Sequence, residues 1–129
     1  MKVIIAGSRT CNHYPTVKQT VTSAFNEWMA KDRVNWKSYL RPEIVSGGAH
    51  GVDFCGEQLA KAANLPLTVF PAEWDKYGKA AGMIRNKQMG NYADALIAIW
   101  DGKSRGTKQM IDYMKSLNKP VYVKEINAS

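Results

Sequence analysis

The stretch VSGGAHGVD, residues 45–53, places three glycines within five residues, between an apolar run and a helix-like pattern. The segment EIVS, residues 43–46, predicts a short strand, and apolar residues recur at helical spacing over 52–62. Glycine weakens any regular element that contains it, so this cluster marks a strand-to-helix junction. Such a junction lets backbone amides approach a ligand closely at the start of a helix.

Strand and helix patterns alternate along the chain. Apolar, β-branched runs predict five strands, at 2–6, 43–46, 67–71, 94–100 and 121–123. Helical spacing predicts helices between them, from Pro15 to Met29, over 52–62, in the second half of 72–93 and from Met110 to Leu117. Near-continuous apolar strands are typical of a parallel sheet covered on both faces. The sequence therefore predicts an α/β, doubly wound single domain over 1–129, with a five-stranded, mainly parallel sheet.

Composition limits the classes of protein to consider. The longest apolar run, ALIAIW, is too short to span a bilayer, and the N-terminus lacks a signal-peptide pattern, so we expect a cytoplasmic protein without a membrane partner. Cys11, Cys55, His13 and His50 lack the spacing of a disulfide framework or metal site, and we expect no metal and no cofactor. The net charge of +7 favours an anionic partner, either a phosphate-bearing ligand or a nucleic acid.

The loops after strands 1, 2 and 4 combine glycine with hydroxyl groups or cations. They read GSRT at 7–10, SGGAHG at 46–51 and DGKSRGT at 101–107. In an open parallel sheet, ligands bind beyond the carboxyl ends of the strands. Glycine opens the backbone to an anion, a helix N-terminus adds its positive dipole end, and Arg9 can pair bidentately with phosphate. Together the three loops predict a phosphate or nucleotide site.

Two familiar phosphate-binding motifs are absent from the sequence. The segment GKS at 102–104 resembles the end of a P-loop, but Ile97 occupies the position where that motif requires its first glycine. No G-x-G-x-x-G follows the first strand, so the standard dinucleotide fingerprint is missing as well.

Carboxylates and aromatic residues near the strand ends leave alternatives open. Asp53 is either a helix-dipole partner that braces its loop or a contact for a ribose or base. Three further carboxylates are candidates for ribose contacts or acid–base chemistry: Glu73, Asp75 and Asp101. Three aromatic residues either stack on a base or pack in the core: Trp74, Tyr77 and Trp100.

Four motifs, in this order, resemble the SLOG superfamily. They are GSR at 7–9, VSGGAHGVD at 45–53, RNKQM at 85–89 and DGKSRGT at 101–107. That superfamily includes the LOG-type phosphoribohydrolases and the Rossmann-like domain of DNA-processing protein A. The chain looks similar to its small, stand-alone YpsA-related branch, found in bacteria and their phages. The resemblance covers essentially the whole sequence.

The resemblance implies a Rossmann-like fold with a nucleotide-type ligand in the crevice beyond the strands. It also implies a homodimer or larger homo-oligomer, for which the connector around Trp36 and Tyr39 offers either an apolar patch or an ordinary core contact. By position it implies these binding residues: Gly7, Ser8 and Arg9 in one wall, Gly47, Gly48, Ala49 and Gly51 in a central cradle braced by Asp53, Arg85 and Asn86 from a helix, and Asp101, Ser104, Gly106 and Thr107 at the phosphate end.

One departure bears on catalysis. The LOG-type enzymes carry P-G-G-x-G-T-x-x-E after strand 4, and their glutamate works with an arginine. Arg85 matches the arginine, but Met110 occupies the glutamate position and cannot move a proton. The catalytic residues are therefore unknown, with Arg85, Glu73 and Asp101 as candidates. We predict a nucleotide-binding protein that senses or sequesters its ligand; the alternatives are a nucleotide N-glycosidase and a single-stranded nucleic-acid binder.

Overall fold

The computed structural model describes residues 1–126, which form a five-stranded parallel sheet with helices on both faces. The strands are β1 (Lys2–Gly7), β2 (Glu43–Ser46), β3 (Leu67–Val69), β4 (Ala95–Trp100) and β5 (Val121–Glu125). All four strand pairs are parallel, and the spatial order is β3-β2-β1-β4-β5. The predicted α/β fold class is confirmed.

Two helical layers cover the sheet. Alternate residues of β1 face opposite layers: Val3 and Ile5 pack under the helices Tyr14–Lys31 and Val52–Ala62, while Ile4 and Ala6 pack under Ala81–Tyr92 and Arg105–Ser116. This alternation explains why the strands read as continuous apolar runs, since both of their faces are buried. The helices are α1 (Tyr14–Lys31), α2 (Val52–Ala62), α3 (Trp74–Tyr77), α4 (Ala81–Tyr92) and α5 (Arg105–Ser116), with short 3₁₀ turns at Trp36–Tyr39 and Gly78–Ala80.

The structure differs from the sequence prediction at several element boundaries. β3 ends at Val69 because Pro71 has no N–H with which to continue the sheet. β5 runs to Glu125, two residues beyond the prediction, because its backbone continues to pair with β4. The helix predicted from Met110 begins at Arg105, so part of the predicted 101–107 loop is its first turn.

The strand order positions a crevice at the carboxyl ends of the strands. The chain proceeds outward from β1 through β2 to β3, then crosses over to β4 and proceeds to β5. Connections that follow β1 and β4 therefore lead to opposite faces, and the loops separate beyond their carboxyl ends. Among residues 1–126, no helix is both long and apolar enough to span a membrane.

Candidate functional site

Two adjoining spaces lie beyond the carboxyl ends of β1, β2 and β4. The inner cavity, of about 70 Å³, is lined by nine of the predicted residues: Gly7, Arg9, Ala49, Asp53, Arg85, Asn86, Ser104, Gly106 and Thr107. The outer cleft, of about 510 Å³, is lined by residues that include Gly47, Gly48, His50, Pro71 and Trp74. Arg9, Ala49 and Arg85 line both spaces. The structure thus brings together all but three of the predicted binding residues.

Gly47 lies between Asp53 and Arg85. The Arg85 Nη1 atom donates a hydrogen bond to the Gly47 carbonyl oxygen, and the Asp53 Oδ2 atom accepts one from the Ala49 amide at 3.3 Å. A Cβ atom on Gly47 would lie 2.7 Å from Arg85 Nη1 and 3.0 Å from Asp53 Oδ2. Only glycine fits without moving these buried side chains, which explains the first glycine of the stretch 45–53.

Burial changes the proton affinities of this pair in opposite directions. Desolvation raises the pKa of Asp53 to about 6, although the Ala49 amide and the charge of Arg85 act to lower it, and nearby Glu57 adds to the rise. Desolvation lowers the pKa of Arg85; Asp53 opposes this change and the charge of Arg9 reinforces it. The effect of Arg9 on Arg85, together with the place of both side chains in the inner cavity and the outer cleft, indicates two cations at one region, which favours an anion there.

The loop amides are less open than the glycine content suggests. The Gly48 amide donates to Ser46 Oγ at 3.1 Å, and Ser46 Oγ donates to Glu57 Oε2 at 2.7 Å. The Ala49 amide is bonded to Asp53. Positive potential beside this loop therefore comes from the arginine side chains rather than from these two amides.

Asn86 connects α4 to the start of α5. Its Oδ1 atom accepts a hydrogen bond from Arg85 Nε at 3.1 Å, and its Nδ2 atom donates to Gln109 Oε1 at 2.7 Å and to the Gly106 carbonyl at 3.2 Å. These bonds orient Arg85 and fix the first turn of α5. In that turn the hydroxyl groups of Ser104 and Thr107 lie 3.2 Å apart at the inner cavity.

The other three predicted binding residues hold the loops in shape. Gly51 has a φ of +75°, and a Cβ there would overlap the Ser8 carbonyl oxygen, which also accepts the Val52 amide at 3.1 Å. Ser8 is buried beneath this contact. Asp101 Oδ1 accepts the amides of Lys103 and Ser104, both at 2.8 Å, and these bonds lower the pKa of Asp101.

The catalytic candidates are dispersed. Arg85 lines the inner cavity, whereas Glu73 is exposed just before α3 and Asp101 is engaged in its own loop. Met110 is 1% exposed and contributes an apolar surface to the inner cavity. In the part of the chain that the structure describes, no group of three or more His, Cys, Asp or Glu side chains could hold a metal ion.

Of the three aromatic candidates, one lines the outer cleft and two do not. Trp74, which is 52% exposed, lines the outer cleft. Trp100 donates its indole N–H to the Ser104 carbonyl at 3.0 Å and packs against the core, and the Tyr77 ring is capped by Lys76 at 5.0 Å. His50, which the sequence analysis set aside, lines the outer cleft. Its place inside the glycine loop is the signal that would have identified it.

Comparisons with known proteins place the fold. Two structures of DNA processing protein A share it: the Streptococcus pneumoniae protein has a TM-score of 0.70 and 17% identity over 95% of this chain, and the Helicobacter pylori protein a TM-score of 0.67 and 22% identity over all of it. The Rossmann-like fold that the SLOG resemblance implied is therefore confirmed. The chain spans 49% of the S. pneumoniae protein and 68% of the H. pylori protein.

A curated protein of similar length is also related in sequence. The gene 61 protein of Mycobacterium phage D29 is 29% identical over an alignment of 126 residues, and the match covers 93% of each chain. No protein-family model matches the chain. The H. pylori structure concerns the single-stranded DNA binding mode of that protein.

Proposed function

We propose that the chain binds single-stranded nucleic acid, with a phosphodiester group held between Arg9 and Arg85. The observation that carries this proposal is that both arginines line the inner cavity and the outer cleft. A phosphate at their junction would meet two guanidinium groups, and phosphate contacts supply most of the affinity for nucleic acid. The net charge of +7 and the fold shared with a single-stranded DNA binding protein support the same function.

The outer cleft suits a base beside that phosphate. Trp74 exposes half of its surface there, and an exposed indole is a stacking platform for any base. Gly48, with a φ of +74°, lines the same cleft and presents backbone there rather than a side chain. The cleft is broad enough for a nucleotide, since its 510 Å³ falls within the usual size of a ligand site.

A free nucleotide is the second candidate, because it would use the same phosphate contacts. The inner cavity alone, at about 70 Å³, is far below the roughly 300 Å³ of the smallest usual ligand pockets. The open cleft favours a ligand that continues past the site, as a polymer does. Cleavage of an N-glycosidic bond is not proposed, since neither Glu73 nor Asp101 lines the inner cavity or the outer cleft.

Fluorescence anisotropy with a labelled oligothymidylate of twelve residues, repeated at several salt concentrations, tests the proposal. We expect Arg9→Ala to weaken binding and to reduce the slope of log K against log salt by about 0.7, the value for one phosphate of a single strand. We expect Trp74→Ala to weaken binding by roughly five-fold or more through lost stacking, without changing that slope.

Two exposed residues outside the crevice provide matched controls. Arg33→Ala and Trp36→Ala remove the same side chains from the connector between α1 and β2, and both should bind like the unaltered protein. Salt-independent binding, or equal losses in the control variants, would contradict the proposal. A nucleoside monophosphate that competes as well as the oligonucleotide would favour the free nucleotide.

A further inference from the structure

We infer that the bound strand leaves the crevice over the first turn of α5 and continues into a basic groove between α4 and α5. This inference rests on the proposed function and extends it from one phosphate site to a path. The groove, called the lateral groove here, has a volume of about 590 Å³. Its residues include Met83, Lys87, Arg105, Lys108 and Tyr113.

The lateral groove and the inner cavity share a common wall. Asn86 lines the inner cavity, Gln109 lines the groove, and their side chains are hydrogen-bonded at 2.7 Å. Arg105 and Gly106 are likewise neighbours that line one space each. Among the described residues, apart from the chain neighbours of Gly106 and the backbone of its own helix, no atom lies within 4 Å of the position that a Cβ on Gly106 would take. The surface at Gly106 is therefore unobstructed by side chains, and we place the crossing of the sugar-phosphate backbone at this residue.

The charge of the groove matches a polyanion. Lys108 is paired with Asp112 at 2.7 Å, while Lys87 and Arg105 form no ion pair within residues 1–126. An apolar partner helix would have to cover these two cations without compensating them, which is costly. A phosphate chain neutralises them and releases counterions.

The surface between the cations suits unpaired bases. Met83 is 55% exposed and Tyr113 is half-buried, so the groove combines an apolar surface with positive charge. Single strands are bound by this combination of stacking surface and basic track, with site sizes of about 4–16 nucleotides. The crevice and the groove together predict a footprint longer than the crevice alone provides.

The test compares the double variant Lys87→Glu/Arg105→Glu with the double variant Lys18→Glu/Lys61→Glu. The second pair has the same charge change on exposed residues of α1 and α2, across the sheet from the groove. Anisotropy is measured with oligothymidylates of four and twelve residues over a series of salt concentrations, after thermal melts show that both variants are folded.

We expect the groove variant to bind the twelve-residue oligonucleotide at least ten-fold more weakly than the control variant does. Its salt slope for that oligonucleotide should fall by about 1.4, equivalent to two phosphates. Affinity for the four-residue oligonucleotide should match that of the control variant.

Equal affinities of the two variants for the longer oligonucleotide would overturn the inference, and so would equal losses at both lengths. Failure of the unaltered protein to bind either oligonucleotide would overturn the proposed function itself. If the unaltered protein binds both oligonucleotides with equal affinity, the proposed function stands and only the path through the lateral groove is refuted. If sedimentation shows that the unaltered protein is a dimer and the groove variant a monomer, the lateral groove is an interface between copies and the inference is wrong.

Discussion

The loops 45–53 and 101–107 look alike in sequence and are built in opposite ways. Each combines glycines with an aspartate next to a helix start. Asp53 is 5% exposed, interacts electrostatically with the buried Arg85 and has a raised pKa. Asp101 lies at the surface, accepts two amides of its own loop and has a lowered pKa. Arg85 and Ser8, from elsewhere in the fold, hold the first loop, whereas the start of the second loop is closed by its own aspartate.

One glycine from each loop shows a similar contrast. Gly51 in the first loop packs against the backbone of Ser8 and Arg9, which belongs to a different loop. Gly106, at the end of the second, faces open space. A loop glycine thus indicates a packing constraint only where other atoms lie close to the position that its Cβ would take.

The largest effect is expected from Gly51→Ala. Its Cβ would overlap the Ser8 carbonyl oxygen at a φ of +75°, so the free energy of unfolding should fall by about 3 kcal/mol or more. The counterpart Gly106→Ala should raise it by up to about 1 kcal/mol, since alanine favours a helix. Urea unfolding measures both changes. Similar destabilisation by the two substitutions would refute the division between the loops.

A medium effect is expected from Asp53→Asn, and it depends on pH. The folded-state pKa of Asp53, about 6, lies above the ordinary value of 3.8, so the native protein holds this proton more tightly than the unfolded chain. Stability that this proton provides is present below about pH 4 and is lost as the pH rises to about 6. Relative to Asp53→Asn, the unaltered protein should lose at most about 3 kcal/mol across this window.

Urea unfolding of both proteins at pH 4, 5, 6 and 7 gives the required differences. Arg85 stays in place in both proteins, so the comparison isolates the titration of Asp53 from the loss of its partner. A difference in unfolding free energy that is constant over this range would show that Asp53 is not perturbed by burial.

The smallest effect is expected from Asp101→Asn, with the opposite sign. Backbone amides lower the pKa of Asp101 below the ordinary 3.8, so its stabilising contribution is present above that value and is lost as the pH falls through the folded-state pKa. The variant should have a slightly lower melting temperature at neutral pH, and the gap should close in strong acid. A gap that widens on acidification would contradict the comparison between the two aspartates.

Local patterns predicted the fold and the position of the crevice. The apolar strands identified a sheet buried on both faces, and parallel topology placed three loops at the carboxyl ends of the strands. Local patterns could not show that Arg85 reaches from α4 to the Gly47 carbonyl, because the two residues are 38 positions apart. They also missed the start of α5 at Arg105, which follows the turn that Asp101 closes.

The two side chains that contact Gly47 come from opposite sides of the sheet. Asp53 belongs to α2 in one helical layer, and Arg85 belongs to α4 in the other. The arrangement around Gly47 therefore exists only in molecules in which both layers have docked. Binding by this site is a measure of complete assembly, and damage to either layer lowers the competent fraction of molecules before it alters their intrinsic affinity.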